Sequence, residues 1–402
     1  MIPIMEVLLT LSVIVVLLQR KISIGNAMLT GAGMLFLMCS PQWITFQAAG
    51  RDLLFSSSTW EILAALYLVM CLEYQLRTQG IIDGLMATAR VLLKSDKVLL
   101  VLMPAFLGFL PSLGGAIFSA PLVEAAGKPY DLSPERKTAI NYWFRHLWEC
   151  TNPILPGLLL ASQIAQVSVS VMIAHMLWVS GLCWLLGWLL YISPLRSRVE
   201  SQVTSSTSSE QGKKYWHLFL AAGPICANFL LVVALDFGPA MSMLLVVITM
   251  TLILRLRFNT IINMIHHAFD RKLLWGVVGI LFFQYMLKQT GIIADVALVL
   301  KSLGISMMIV IGIVGLIAGI LTGSSQGYVA ITFPLIAAIS MGNIDMAVVA
   351  YVAGFAGQML SPAHLCLLVT LDYFKADYLK SLWSVIMMEI AVLVVLSITA
   401  IM

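Results

Sequence analysis

Residues 110–122 read Leu-Pro-Ser-Leu-Gly-Gly-Ala-Ile-Phe-Ser-Ala-Pro-Leu, and residues 323–335 read Gly-Ser-Ser-Gln-Gly-Tyr-Val-Ala-Ile-Thr-Phe-Pro-Leu. Both open on a stretch holding Ser and Gly, continue into an apolar run and end on Pro-Leu, 213 positions apart. Upstream, Glu-Tyr-Gln-Leu-Arg-Thr-Gln-Gly-Ile-Ile at 73–82 matches Gln-Tyr-Met-Leu-Lys-Gln-Thr-Gly-Ile-Ile at 284–293, 211 positions apart. Downstream, Glu149-Cys-Thr-Asn-Pro153 matches Gln358-Met-Leu-Ser-Pro362, 209 positions apart. Three matches in one order, at a nearly constant offset, mean that one unit occurs twice.

What surrounds these stretches fixes the class. The chain is 60% hydrophobic and only 10% charged, against about 25% charged in soluble domains. Apolar runs near the length needed to cross a bilayer, about 20 residues, recur from end to end. In the first half they cover 4–19, 22–39, 60–79, a broken stretch 96–126, 138–165 and 171–192. In the second they cover 216–235, 240–257, 274–290, a broken stretch 303–341, 346–370 and 381–401. The expected fold is an all-α membrane protein with a first repeat over 1–192, a polar cytoplasmic linker over 193–214 and a second repeat over 215–402. If 96–126 and 303–341 are re-entrant hairpins, each half crosses the membrane an odd number of times, and the second repeat is inverted.

Charge tests the hairpin reading. With the N-terminus outside, only Arg51, Lys288 and Lys301 of the 23 basic residues fall outside, Arg145 falls within the membrane, and the rest are cytoplasmic. That is the positive-inside pattern; hairpins that spanned fully would scatter the later charges to both sides. Both termini are therefore expected outside the cell inner membrane. Glu6 precedes the first apolar run and Arg20-Lys21 follow it, the reverse of a secretory signal, so this run reads as an uncleaved helix. The net charge of +4 calls for no nucleic acid, because the basic residues flank the apolar runs.

Broken backbone is tolerated at membrane depth only beside protein or a watery cavity. Four interruptions at matching places point to such a cavity: the tips 111–115 and 322–327, and the breaks within 138–165 and 346–370. Asn152-Pro153 and Ser361-Pro362 each put an N-cap residue before a proline suited to a first helical turn. A half-helix is expected to start at each, with its N–H groups free for an anion, while the carbonyls ending the preceding half-helix suit a cation. Inverted repeats with discontinuous helices at the midplane describe a secondary transporter.

Single residues sharpen the site. Arg145 is ionisable and lies inside the membrane, where such groups mark function; Glu149, one turn on along the same face, is its expected partner or a proton carrier. The competing reading is a structural ion pair. Gly354 and Gln358 stand at the matching places, so the pair is asymmetric. His364 follows the second break and is expected at the same cavity, whereas His146 should face another way. His146-Leu-Trp-Glu149 is not the HExxH zinc pattern, and the six cysteines lie singly with no CxxC, so no metal site is expected. The tips offer Ser112, Gly114 and Gly115, and Ser324, Ser325, Gln326 and Gly327. Substrate is expected at these residues with Arg145, Thr151, Asn152, Ser361 and His364. The coupling ion, H⁺ or Na⁺, is expected at Glu149, Asn152 and Gln358.

The paired hairpins GFLPSLGGAIFSAPLV and TGSSQGYVAITFPL, with the breaks ECTNPILPG and QMLSPAHL that follow them, resemble the ion-transporter superfamily, which includes gluconate-type permeases and dicarboxylate:sodium symporters. Nearest in pattern is a branch of prokaryotic integral-membrane permeases grouped as a domain of unknown function. The resemblance covers nearly the whole chain. It implies a homodimer with a scaffold and a moving transport part, elevator-type alternating access, and ligand sites at Ser112 to Gly115, Thr151-Asn152, Ser324 to Gly327 and Ser361. The Ser-Asn-Thr tips of the dicarboxylate symporters are not in this chain. The expected function is ion-coupled transport of a small organic anion, a carboxylate or sugar acid, with no cofactor beyond the coupling ion and no enzyme activity. A channel, a membrane scaffold and an intramembrane hydrolase are the rival classes.

Overall fold

Inside a membrane a chain satisfies its backbone hydrogen bonds most readily as helices, and helices that are apolar all round lie in lipid or in a core. In a computed structural model of the chain, the described residues are 2–39, 41–81, 84, 95–109, 114–196, 211–292, 295–296, 298–299, 306–339 and 341–401. Every regular element among them is helical.

The first half runs α1 (Ile2–Gln19), α2 (Ile24–Cys39), α3 (Trp43–Phe55), α4 (Ser57–Thr78), α5 (Asp96–Gly108), α6 (Gly114–Gly127), α7 (Pro134–Arg145), α8 (Pro156–Ala165) and α9 (Val169–Gly187). The second runs α10 (Gln211–Phe229), α11 (Pro239–Ile253), α12 (Phe258–His267), α13 (Arg271–Thr290), α14 (Met307–Thr322), α15 (Ser325–Ile339), α16 (Ile344–Leu360), α17 (Leu365–Phe374) and α18 (Tyr378–Ile401). Two short helices, α3 and α12, occupy stretches that hydropathy leaves as loops. They stand at corresponding places, each between the second and third apolar runs of its half. Local caps fix several starts. Ser133 accepts from the Arg136 amide before α7, Asp270 from the Lys272 and Leu273 amides before α13, and Asn343 from the Met346 amide before α16, as N-cap side chains do.

Packing is reciprocal between the halves. α2 packs on α13 while α4 packs on α11, and α6 packs on α17 while α8 packs on α15. Within the halves, α5 packs on α7 and α14 on α16. Among the described residues, Val169–Ile192, Ile344–Phe374 and Tyr378–Thr399 are long and apolar enough to cross a membrane. The bent pair α3–α4, with 52° between its helices, is a fourth if it acts as one span. Exposed Trp43, Phe55, Leu252, Phe258, Leu379 and Trp383 put large apolar groups on the outside, where lipid rather than water suits them. The most apolar part of the broken span Ile344–Phe374 is 61% buried against 33% for that of Tyr378–Thr399, so this interrupted span lies inside and the uninterrupted last helix at the rim.

Candidate functional site

The two breaks differ in length, and prolines account for part of each. A proline lacks the N–H that continues a helix, and it pushes the preceding residue to extended backbone. The first break holds Pro153 and Pro156; α7 ends at Arg145 and α8 starts at Pro156, leaving 146–155 in successive turns. The second holds Pro362 alone, and only 361–364 separate α16 from α17.

The half-helices therefore start at Pro156 and Leu365, three residues later than the Asn-Pro and Ser-Pro pairs led us to expect. Asn152 and Ser361 do not cap them. Asn152 Oδ1 instead accepts from the Ile154 amide at 3.2 Å, and its Nδ2 donates to the Phe109 carbonyl at 3.0 Å. Ser361 Oγ accepts from the Ala363 amide at 3.1 Å and donates to the Ile320 carbonyl at 2.6 Å. Each side chain closes a local turn and ties it to the first arm of its own half's helical pair.

The same arms touch the helices that lead into the breaks through glycine. A Cβ on Gly108 would overlap the Arg145 carbonyl, and a Cβ on Gly319 would overlap the Gly354 carbonyl. Gly108 and Gly319 occupy corresponding positions, as do Arg145 and Gly354. Two tyrosines then cross between halves: Tyr142 Oη donates to the Met359 carbonyl at 3.1 Å, and Tyr351 Oη to the Glu149 carbonyl at 3.2 Å. Sequence reasoning did not single out these tyrosines, although they lie 209 positions apart, the offset that aligns the breaks.

These ties frame a cavity of about 310 Å³ lined by Gly108, Arg145, His146, Glu149, Leu155 and Pro156 from the first half, and by Gly323 to Gln326, Gln358 and His364 to Cys366 from the second. Gln358 Nε2 donates to Glu149 Oε1 at 3.2 Å, so these matched polar residues of the two halves meet each other. Ser324 accepts from the Gly327 amide at 3.1 Å and so caps α15, whose first turn opens on the cavity. Gly323, at φ +60° beneath Ala363 and His364, makes the left-handed corner that an L side chain rarely adopts.

The expected residues divide. Arg145, Glu149, Ser324, Ser325, Gln326, Gln358 and His364 line the cavity. Asn152 and Ser361 stand behind it as ties. Thr151 turns away to hydrogen-bond the Ser180 hydroxyl at 2.9 Å, and Gly327 is packed against Thr322 and Ser324. Gly114 and Gly115 begin α6, and Ser112 lies outside the described residues. Because α7 ends at Arg145, the pair Arg145 and Glu149 shares no helical face; turns bring both to the cavity. His146, expected to face elsewhere, lines it too, with Nε2 3.1 Å from His364 Nε2.

A family model described as "Protein of unknown function (DUF401)" matches residues 4–402. The fold is similar to that of the Alcanivorax borkumensis YdaH transporter, whose crystal structure is described as revealing an unusual topology. The TM-score is 0.58 at 13% sequence identity, over 92% of this chain and 88% of that one. No curated protein matches the sequence. Apolar helices and a transporter's fold together describe a multi-pass membrane protein.

Proposed function

The chain belongs to that DUF401 family, and from its cavity we propose that it is a secondary active transporter of a small organic anion. The observation that carries the proposal is the convergence of segments from both helical pairs and both breaks on one cavity, with Arg145 in its wall. A buried guanidinium beside the starts of α8, α15 and α17 suits a carboxylate or sugar acid. About 310 Å³ is at the small end of ligand cavities.

In this reading the halves are inverted repeats, with α5–α6 and α14–α15 as re-entrant hairpins. The reciprocal packing of α2 on α13 and α4 on α11 and the crossed tyrosine bonds support a two-fold relation passing near Glu149 and Gln358. Elevator-type movement, a homodimer, outward termini and coupling to H⁺ or Na⁺ complete the proposal. Glu149 is the carboxylate placed to carry a proton. Gln358, whose Oε1 has no hydrogen-bond partner among the described residues, is the neutral oxygen placed for Na⁺.

The test is a thermal-stability screen of the purified protein against mono-, di- and tricarboxylates and sugar acids, with and without Na⁺, at two pH values. A ligand that binds only the native state raises the melting temperature by mass action. An anion that does so only with Na⁺ supports sodium coupling; one that depends on pH and ignores Na⁺ supports proton coupling. Stabilisation by cations or neutral solutes alone overturns the anion reading.

A further inference from the structure

His146 and His364 come from different breaks, 218 positions apart, and both are buried. Their Nε2 atoms lie 3.1 Å apart. Cys366 completes a group whose three donor atoms all lie within 4.8 Å of one another. Outside contacts constrain the tautomers. His146 Nδ1 lies 2.7 Å from the Tyr142 carbonyl, which can only accept, so this nitrogen carries the proton and the Nε2 lone pair faces His364. If His364 answers with its own Nε2–H, its Nδ1 is left as a bare lone pair. That atom is buried and closes no hydrogen bond among the described residues. The protein-only arrangement thus satisfies one nitrogen by stranding another, which is costly in a buried site.

We infer that His146, His364 and Cys366 bind a borderline-soft transition-metal ion, Zn²⁺ being the reference case. With both rings protonated at Nδ1, the two Nε2 lone pairs converge. Two zinc–nitrogen bonds of about 2.0–2.1 Å spanning the observed separation subtend roughly 100°, close to tetrahedral. Binding deprotonates the thiol, so the proton of Cys366 leaves to solvent as the sulfur–metal bond forms. The Tyr142 carbonyl then serves as the outer partner that orients a metal-bound imidazole, and the Tyr142 ring lies edge-on to both histidines at 4.9 and 5.3 Å. Because the three ligands leave a fourth position facing the cavity, the ion would clamp the two breaks together while adding positive charge beside Arg145. The site stands whether or not the anion proposal does.

Purified full-length protein, stripped with chelator, would be titrated with Co²⁺ and then back-titrated with Zn²⁺, with no substrate present. The expected result is one equivalent of Co²⁺ with a thiolate charge-transfer band that one equivalent of Zn²⁺ displaces. Cys366→Ser should remove the band, and His146→Gln or His364→Gln should weaken affinity by at least about 100-fold, the upper range that outer-sphere partners alone command. A histidine variant that fails to fold is bypassed on the unmodified chain, where one equivalent of Zn²⁺ should slow alkylation of Cys366 and leave exposed Cys226 unaffected. Binding without the thiolate band, equal binding by Cys366→Ser, or no protection of Cys366 overturns the site. Loss of metal binding with anion binding intact would remove this inference alone.

Discussion

The two breaks make corresponding attachments yet carry different chemistry. Each break, or the helix that leads into it, is held by a small polar side chain bonded back to its own helical pair, by a glycine contact with that pair's first arm, and by a tyrosine from the other half. The first, 146–155, is the longer and carries Arg145 at its edge with His146 and Glu149 within it. The second, 361–364, is shorter, and Gly354 and Gln358, at the places of Arg145 and Glu149, stay within α16 ahead of it. Shared attachments are what a common scaffold requires. The charge kept on one side alone is what a site needs to hold an anion off its centre.

The largest expected effect separates those roles. Arg145→Gln removes the guanidinium without opening a large hole, and truncating a buried charged partner costs at least about 2 kcal/mol of binding, or roughly 30-fold in Kd. Titration of a stabilising anion into the variant should show that loss, with the melting temperature of the ligand-free protein nearly unchanged. A variant that binds normally would end the functional half of the comparison; one that unfolds would make Arg145 a structural group.

Substituting the glycine contacts tests the scaffold half. Gly108→Ala and Gly319→Ala each drive a methyl into a backbone carbonyl, and overpacking of this kind costs about 1–3 kcal/mol. Thermal unfolding in detergent should show similar losses for the two. If one substitution is silent, the arms do not bear on the breaks alike.

The ties come next. Asn152→Ala and Ser361→Ala each delete two hydrogen bonds, worth about 1 kcal/mol apiece. Asn152→Ala should cost more, because ten residues of the first break lack helical bonding to fall back on. Equal losses would show that break length is immaterial to the tie.

Which of these features could be read beforehand follows from their physics. Hydropathy marks helices, and the repeated Pro and Gly mark the breaks, because both signals are local in the chain. Arg145 and Glu149 stood out because charge inside an apolar run is conspicuous. Their geometry did not, since the i,i+4 argument assumed a helix that ends at Arg145. Asn152 and Ser361 looked like caps because a cap and a turn use the same residue types, and only the three-dimensional path shows which N–H they reach. His146 and His364 have no sequence spacing to betray them; their meeting depends on how the breaks cross. Short α3 and α12 were missed because hydropathy over span-length windows passes over helices of 13 and 10 residues.

The smallest expected effect lies outside both breaks. Glu389 on α18 is fully buried, and both its carboxyl oxygens lack a hydrogen-bond partner among the described residues. A carboxyl buried without a partner is neutral rather than charged, so Glu389→Gln replaces one neutral polar group by another of the same shape and should lower stability by no more than about 1 kcal/mol. Transport reconstituted in vesicles should keep its dependence on a proton gradient in Glu389→Gln and lose it in Glu149→Gln if coupling runs through the first break. The opposite pattern would move the coupling group to the uninterrupted helix at the rim. The first break would then hold the anion without driving it, and the asymmetry between the two breaks would concern binding alone.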